Sequence, residues 1–407
     1  MDLMNMIQFE EIKKAEQALK NVVKHTPVEH SRIFSELTGN NIYLKLENLQ
    51  TTGSFKLRGA YYRLKNLTPE EKKSGVVASS AGNHAQGVAY SANSLGISST
   101  IFMPIFTPPM KVIATKSYGA EVRLVGNTYD DAYREAIAFA NNENKKFIHP
   151  FNDELLIAGQ GTIGIEIFEQ IKDLDAVLVP IGGGGLISGI ALALKSLNKN
   201  IRVIGVEAEG AQSMKISVEQ NQIIPLKNLD TIADGIAVKT PGDITFELVK
   251  KYVDELVSVS DAEISRAIYM LLSRGKIIAE PAGAVTLAAL LSGKINLKNK
   301  NICALISGGN INLSLLTQII EKGLTEEKLL TRVSMIIPDQ PGALKDILNF
   351  ISNLKANVQS IEGDRLDRDV PVGMVKIIIT LQTLGTYHIT SLEKFFSENN
   401  IKYEIIS

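Results

Sequence analysis

From about residue 42 to residue 307 the chain repeats one pattern, a short run rich in Val, Ile and Leu followed by a longer stretch of helical period. The runs include NIYLKLE, GVVAS, STIFMP, EVRLVG, AVLVPI, IRVIGVE and NICALIS. Near-continuous apolar runs suit strands covered on both faces, and the intervening helices supply the covering layers. The pattern predicts an α/β fold of βαβ units with buried parallel strands. In such sheets crossovers are right-handed and ligands settle beyond the carboxyl ends of the strands, so chemistry is expected in the loops that follow them.

Three of those loops are glycine-rich: SSAGNHAQG at 79–87, IGGGGLISG at 181–189 and SGGN at 307–310. Gly182, Gly183, Gly184 and Gly185 follow an apolar strand and precede an apolar helical stretch beginning at Leu186. Backbone N–H groups of such a turn at a helix N-terminus form a phosphate cradle. Close helix-to-strand packing would account for one or two of the glycines, but not readily for four in a row. The run is neither G-x-G-x-x-G nor a Walker motif. No Lys or Arg lies within it, so a phosphate held there would be neutralised mainly by dipoles. Ser80, Ala81, Gly82, Asn83 and His84 form a strand-to-helix turn suited to a carboxylate; helix capping is the plainer use of Ser80 and Asn83. A structural hydrogen bond is the plainer use of His84, and none of the five histidines has metal-ligand spacing to another.

Ser307 ends a strand, and its hydroxyl either points into the same crevice or satisfies a turn. Glu280, before Pro281, is either a helix N-terminal carboxylate or a crevice group. Glu207 and Glu209 read as a solvated pair that could alternatively bind a cation. In GSFKLRG at 53–59, Lys56 sits between Phe55 and Leu57. If it is buried, desolvation lowers its pKa and makes a neutral, nucleophilic amine; otherwise its stem covers apolar surface and its head stays wet.

A polar stretch, GLTEEKLLTR at 323–332, marks a change of character, and residues 323–331 read as a linker between regions 1–322 and 332–407. Beyond it, TRVSMIIP, PGALKDILNFISNLK, NVQSIEGDRL, VGMVKIIITLQT, TSLEKFFSENN and YEII give the order βαββαβ, which is ferredoxin-like. Lys+Arg 43 nearly cancels Asp+Glu 44, which argues against a nucleic-acid or anionic-membrane partner. The single cysteine, Cys303, excludes an internal disulfide framework and fits a reducing compartment. With no signal pattern in MDLMNMIQFEEIKKAEQALK and no apolar run long enough to span a bilayer, a cytoplasmic location is expected.

Taken together and in this order, GSFKLRGA, SSAGNHAQG, the tetraglycine run and SGGN resemble the fold-type II pyridoxal-phosphate enzymes, which implies a tryptophan synthase β-like catalytic domain with two open, twisted sheets. More narrowly, the chain resembles the threonine ammonia-lyases (threonine dehydratases) with one C-terminal ACT domain. The resemblance implies a large lobe at about 1–50 and 149–322, a small lobe at about 51–148, and an ACT domain at 332–407. It implies pyridoxal 5'-phosphate held by Phe55, Lys56, Asn83, Gly182–Gly185, Leu186, Gly235, Glu280 and Ser307, with Lys56 as tether and catalytic base. Ser80, Ala81, Gly82 and His84 would receive the substrate carboxylate, and Asp339, Gly342 and Ala343 an effector such as isoleucine or valine. L-threonine, and also L-serine, are the implied substrates, and a homodimer or homotetramer the implied assembly. Serine racemases of this group carry a serine where this chain has Ala81 and an acidic residue where it has Ser213. The first departure favours elimination, and no metal is assigned. The alternatives are a serine racemase or serine dehydratase and, from another class, a non-catalytic amino-acid sensor.

Overall fold

The computed structural model describes residues 7–406, so the first six residues of the N-terminal stretch and Ser407 at the end of the C-terminal region lie outside it. The chain divides into two compact units, Met1–Asn312 and Leu313–Ser407. In the first unit, β1 (Val28–His30) and β2 (Asn41–Leu46) precede β3 (Val76–Ser79), β4 (Ser99–Met103), β5 (Glu121–Leu124) and β6 (Lys146–Phe147). They are followed by β7 (Ala176–Pro180), β8 (Arg202–Ala208), β9 (Glu255–Val259) and β10 (Asn301–Ile306).

These strands form two sheets. A six-stranded sheet has the order β1-β2-β10-β7-β8-β9, parallel except for β1, and a four-stranded parallel sheet has the order β5-β4-β3-β6. Val177, Leu178, Val179, Val203, Ile204, Ala304 and Leu305 are fully buried at the middle of the larger sheet. Burying each Val or Leu side chain there contributes about 1.5–3 kcal/mol. Three strands have no counterpart among the apolar runs. β6 has two residues, β1 is a short exposed edge, and β9 is only partly buried along most of its length, so none needed a strongly apolar signature.

Helix Lys56–Lys65 lies between the two sheets' layers, packing on helix Asn83–Ser94 from one half and helix Glu154–Gln170 from the other. Gly53 makes its approach possible. Its φ of +71° is left-handed, and a Cβ would strike the Asn310 side chain. The carboxyl ends of β3, β7 and β10 lead directly into the three glycine-rich loops, which places those loops at the mouths of their sheets.

The second unit begins with helix Leu313–Glu326, whose amphipathic period runs on into the polar stretch; β11 (Leu330–Pro338) follows at once. Residues 323–331 are thus mostly the end of a helix and the start of a strand rather than a free tether. With helix Lys345–Asn353, β12 (Asn357–Asp364), β13 (Met374–Gln382), helix Thr386–Glu398 and β14 (Lys402–Ile405), the unit is a βαββαβ antiparallel sheet of order β12-β13-β11-β14. Among the described residues no helix is long and apolar enough to cross a membrane.

Candidate active site

Lys56 is the first residue of its helix, which puts its side chain at the open end of the layer rather than within it. The Nζ donates to Pro150 O at 2.9 Å and lies 5.2 Å from the centre of the Phe55 ring. Burial among protein groups lowers its pKa to about 8, with the Glu280 carboxylate pulling the other way. The snorkelling alternative does not hold, because the amine faces inward.

Glu280 settles its own two readings. It occupies the N-cap of helix Pro281–Leu291, yet its side chain makes no capping bond. Instead Oε1 accepts from Asn83 Nδ2 at 2.6 Å. Burial first, then the neighbouring Asp234, raise its pKa to about 7, while Asn83, Lys111 and Lys56 oppose the rise. Asn83 in turn is no cap. The N-cap of its helix is Gly82, and the Asn83 Oδ1 accepts from Asn310 Nδ2 at 2.7 Å. Asn310 also donates to Thr52 O, so the chain Glu280–Asn83–Asn310 ties the two halves together above Lys56.

Ser307 stands at the end of β10, with Oγ donating over a long 3.4 Å to Ala282 O and its carbonyl accepting from Phe55 N at 3.2 Å. An isolated bridge joins Ser54 to Gly308, so the SGGN loop and the Lys56 turn are sewn to each other. Gly235 lies at the same wall, where a Cβ would come 2.9 Å from Ala282 Cβ and 3.9 Å from Glu280 Oε1.

The tetraglycine run opens helix Gly185–Leu197, with Gly184 left-handed at φ +93° and Leu186 buried behind it. A Cβ on Gly183 would fall inside the Phe151 ring, and one on Gly185 would lie 2.7 Å from Phe151 O. Thr245 Oγ1 donates to Gly183 O at 2.6 Å, turning that carbonyl away from the cradle side. The His149-Pro150-Phe151 loop therefore touches both Lys56 and the glycine run. His149 shapes it by accepting the N–H groups of Phe151 and Asn152 at Nδ1; burial lowers its pKa to about 4, keeping it neutral at pH 7.

In the 80–84 turn, Ser80 Oγ accepts from Gly82 N at 3.2 Å, the local use expected of such a serine. Ala81 packs on the core of the four-stranded half. His84 is buried, its Nε2 paired with Ile148 O at 3.1 Å, and burial together with Lys56 lowers its pKa to about 3. As a neutral ring donating from Nε2, it leaves Nδ1 as an acceptor only, and it holds no charge for a substrate.

These contacts link Phe55, Lys56, Asn83, Gly183, Gly185, Gly235, Glu280 and Ser307 into one neighbourhood, whereas Ser80 and His84 use their side chains locally. Asp339, Gly342 and Ala343 belong to the C-terminal unit. They line a cavity of about 370 Å³, in which the Asp339 carboxylate receives two hydrogen bonds from Arg365, at 2.6 and 2.9 Å. Glu207 and Glu209 are not a solvated pair. Glu207 is fully buried, accepts from Met214 N and Lys215 N, and is raised to about 8 by burial, while Glu209 faces Lys294. No group of three or more His, Cys, Asp or Glu able to hold a metal occurs among the described residues. Pro150, Phe151 and Thr245 had no distinguishing mark in the sequence, and Asn310 only its place in the SGGN loop. The only available signal was position, since HPF follows the strand ending KKF and Asn310 closes SGGN.

A model of the pyridoxal-phosphate dependent enzymes matches residues 19–308. An L-threonine ammonia-lyase of Thermotoga maritima is 47% identical over 401 residues, covering 98% of this chain and 100% of its own length. Among solved structures, the processed form of threonine deaminase isoform 2 from Solanum lycopersicum superposes with a TM-score of 0.74. It is 40% identical and covers 77% of this chain and 87% of its own. Maize serine racemase also reaches a TM-score of 0.74, at 34% identity over 79% of this chain and 99% of its own. With the family model spanning most of the first unit and a relative this similar along the whole chain, the protein belongs to the pyridoxal-phosphate dependent enzymes.

Proposed function

We propose that the protein is a threonine ammonia-lyase, converting L-threonine to 2-oxobutanoate and ammonia and L-serine to pyruvate. The observation that carries this reading is Lys56, an inward-facing amine with one carbonyl partner and a pKa near 8. The crevice fits pyridoxal 5'-phosphate. The glycine run offers backbone N–H groups at a helix N-terminus without a side chain in the way, Lys56 offers the amine, and Ser307 Oγ is held only by a long contact. When bound, this cofactor supplies an electron sink for the bonds at the substrate α-carbon.

The protein's own groups do the rest. Backbone N–H groups of the 80–84 turn other than those of Ser80 and Gly82, which donate to Phe102 O and Ser80 Oγ, hold the α-carboxylate at the positive end of helix Asn83–Ser94. The neutral Lys56 Nζ takes the α-proton, which its lowered pKa permits near neutral pH. Loss of that proton and of the β-hydroxyl as water gives 2-aminocrotonate, which tautomerises and hydrolyses to the oxo acid. Ser307 presents a neutral hydroxyl, so it does not hold a proton on a pyridine nitrogen as a carboxylate would. That favours prompt elimination over transamination. The methyl side chain at Ala81 supplies no acid on the opposite face, which favours elimination over racemisation. Threonine and serine differ by one methyl, worth ~1–3 kcal/mol of selectivity.

The region 332–407 is assigned as an amino-acid-sensing ACT domain. The cavity at Asp339, Gly342 and Ala343, with its facing carboxylate and guanidinium and apolar Ile337, Val375 and Ile377, suits the two charges and aliphatic chain of isoleucine or valine. A homodimer or homotetramer in the cytoplasm, serving isoleucine formation or threonine breakdown, completes the proposal.

The test is oxo-acid production from threonine and serine, with and without isoleucine and valine. Wild-type protein is expected to be coloured and active. Lys56→Ala should lose the visible band and at least about a thousandfold in rate while keeping its far-UV circular dichroism. Protein that stays colourless with added cofactor would overturn the lyase reading in favour of a sensor. D-serine forming faster than pyruvate would overturn the reading of Ala81.

A further inference from the structure

Two ion pairs cross from the four-stranded half to a single segment of the six-stranded half. Lys111, on helix Pro109–Ser117, reaches Asp234 Oδ2 at 2.7 Å. Lys239 reaches Asp130 Oδ2, in the first turn of helix Tyr129–Asn142, at 2.8 Å. The segment between Asp234 and Lys239 is pinned to its own half at both ends. Thr231 Oγ1 and Ile232 N donate to Asp261 at 2.6 and 3.0 Å, and Lys239 O accepts from Leu226 N at 2.9 Å.

The middle of the same segment forms part of the crevice wall. Gly182 packs so closely on it that a Cβ would lie 2.9 Å from Ile236 Cα, and Gly235 lies beside Ala282 and Glu280. Asp234 and Lys111 act on the Glu280 carboxyl in opposite directions, which places the charges of the pair within electrostatic reach of the crevice. One short stretch therefore touches the glycine run, adjoins Glu280 and carries both charged bridges to the other half.

We propose that residues 231–239 are a latch whose Lys111–Asp234 and Asp130–Lys239 pairs hold the four-stranded half closed over the crevice, making these four side chains positioning residues for the reaction. The two pairs have opposite polarity. Exchanging partners would set Lys111 against Lys239 and Asp130 against Asp234, so the pairs specify register as well as closure. Exposed ion pairs add little to folding stability, and these four side chains are all partly exposed. Acting between two bodies, however, the same small energy bears on the open–closed ratio, to which substrate capture responds directly. The inference rests on the lyase reading for its kinetic consequence, while the latch itself is a property of the chain.

The test uses the full-length holoenzyme and the variants Asp234→Lys, Lys111→Glu and their combination. Each single variant should raise the KM for threonine roughly three- to tenfold, with kcat held within about twofold. Amide hydrogen exchange in helix Pro109–Ser117 and in 231–239 should quicken by a similar factor. The combined variant, with the charges exchanged, should return both readouts to within about twofold of wild type. Raising salt from about 50 to 500 mM should raise the wild-type KM and narrow its gap to the single variants, because salt screens the like-charge contact each of them introduces. Unchanged exchange rates in the single variants, or no recovery in the combined one, would overturn the latch. If threonine is not turned over by wild type, the lyase reading fails and the exchange data still decide the latch.

Discussion

Two lysines, the fully buried Lys45 and the half-buried Lys56, lie close together in the chain, and their surroundings separate a structural charge from a reactive amine. Lys45 Nζ spends all three donors, on Glu166 Oε2 at 2.5 Å, Thr26 O at 2.7 Å and Gln170 Oε1 at 2.9 Å. Beside it, Arg58 donates to both Glu47 and Glu166, closing a buried cage of two cations and two carboxylates. Burial depresses the Lys45 pKa, but Glu166 and Glu47 both pull it back. Lys56 has one carbonyl partner and only the more distant Glu280 to oppose burial. Desolvation alone does not make a nucleophile; desolvation with the carboxylates withheld does. Arg58 follows Lys56 on the same helix, so the fully paired cage also anchors the element that presents the unpaired amine.

The sharpest way to break this contrast is to change both lysines to methionine. Lys45→Met removes one cation from the buried cage, leaving Arg58 alone against the Glu47 and Glu166 carboxylates and Gln170 Oε1 without its donor, and should cost about 3–5 kcal/mol in urea unfolding. Lys56→Met frees only Pro150 O and should leave stability within about 1 kcal/mol of wild type, although activity is gone. Equal losses would show that Lys56 is as firmly paired as Lys45.

Glu207 extends the comparison to an acid, since its only partners are two backbone N–H groups and its pKa is raised to about 8. Below the ordinary value near 4.5 both folded and unfolded states hold the proton. As pH rises from there to about 8 the unfolded state ionises first, so this group's contribution to stability falls by a few kcal/mol and then levels off. Thermal unfolding of wild type against Glu207→Gln across pH 5–9 should show that slope in the difference between them. A flat difference would mean Glu207 is ionised in the fold.

The smallest effect concerns Lys56 itself. In cofactor-free protein its amine should titrate near 8, read by the pH dependence of reductive methylation at that residue. Glu280→Gln removes the group that raises this value, so the midpoint should move lower. A midpoint that rises or stays put would remove Glu280 from the electrostatics of the amine.

Some of this was legible in the chain. The apolar runs from NIYLKLE to NICALIS matched the main strands of both sheets because a strand covered on two faces must be apolar along its whole length. β6 and β1 were not visible, being too short to have a pattern, and their place comes from the neighbours they pair with. Asn83, the glycine run and Ser307 stood out because they follow directly on buried strands, and Lys56 because it is a lysine set between Phe55 and Leu57. Glu280 carried two meanings until its carboxylate was seen turned from its own helix toward Asn83. Phe151 gave no sign at all, because its role against Gly183 is a matter of close approach between segments distant in the chain.

By itself, then, the sequence determined the layered α/β architecture, the βαββαβ unit at the C-terminus and the loops from which chemistry would come. Periodicity and backbone freedom are local properties, written residue by residue. Only the tertiary structure decided that Lys56 lacks a carboxylate partner while Lys45 has one, that Glu280 faces the crevice, and that Asp234 and Lys239 bridge to the other half. Charge, pKa and closure depend on which groups are brought within a few ångströms of each other, and that is set by packing between segments far apart in the chain.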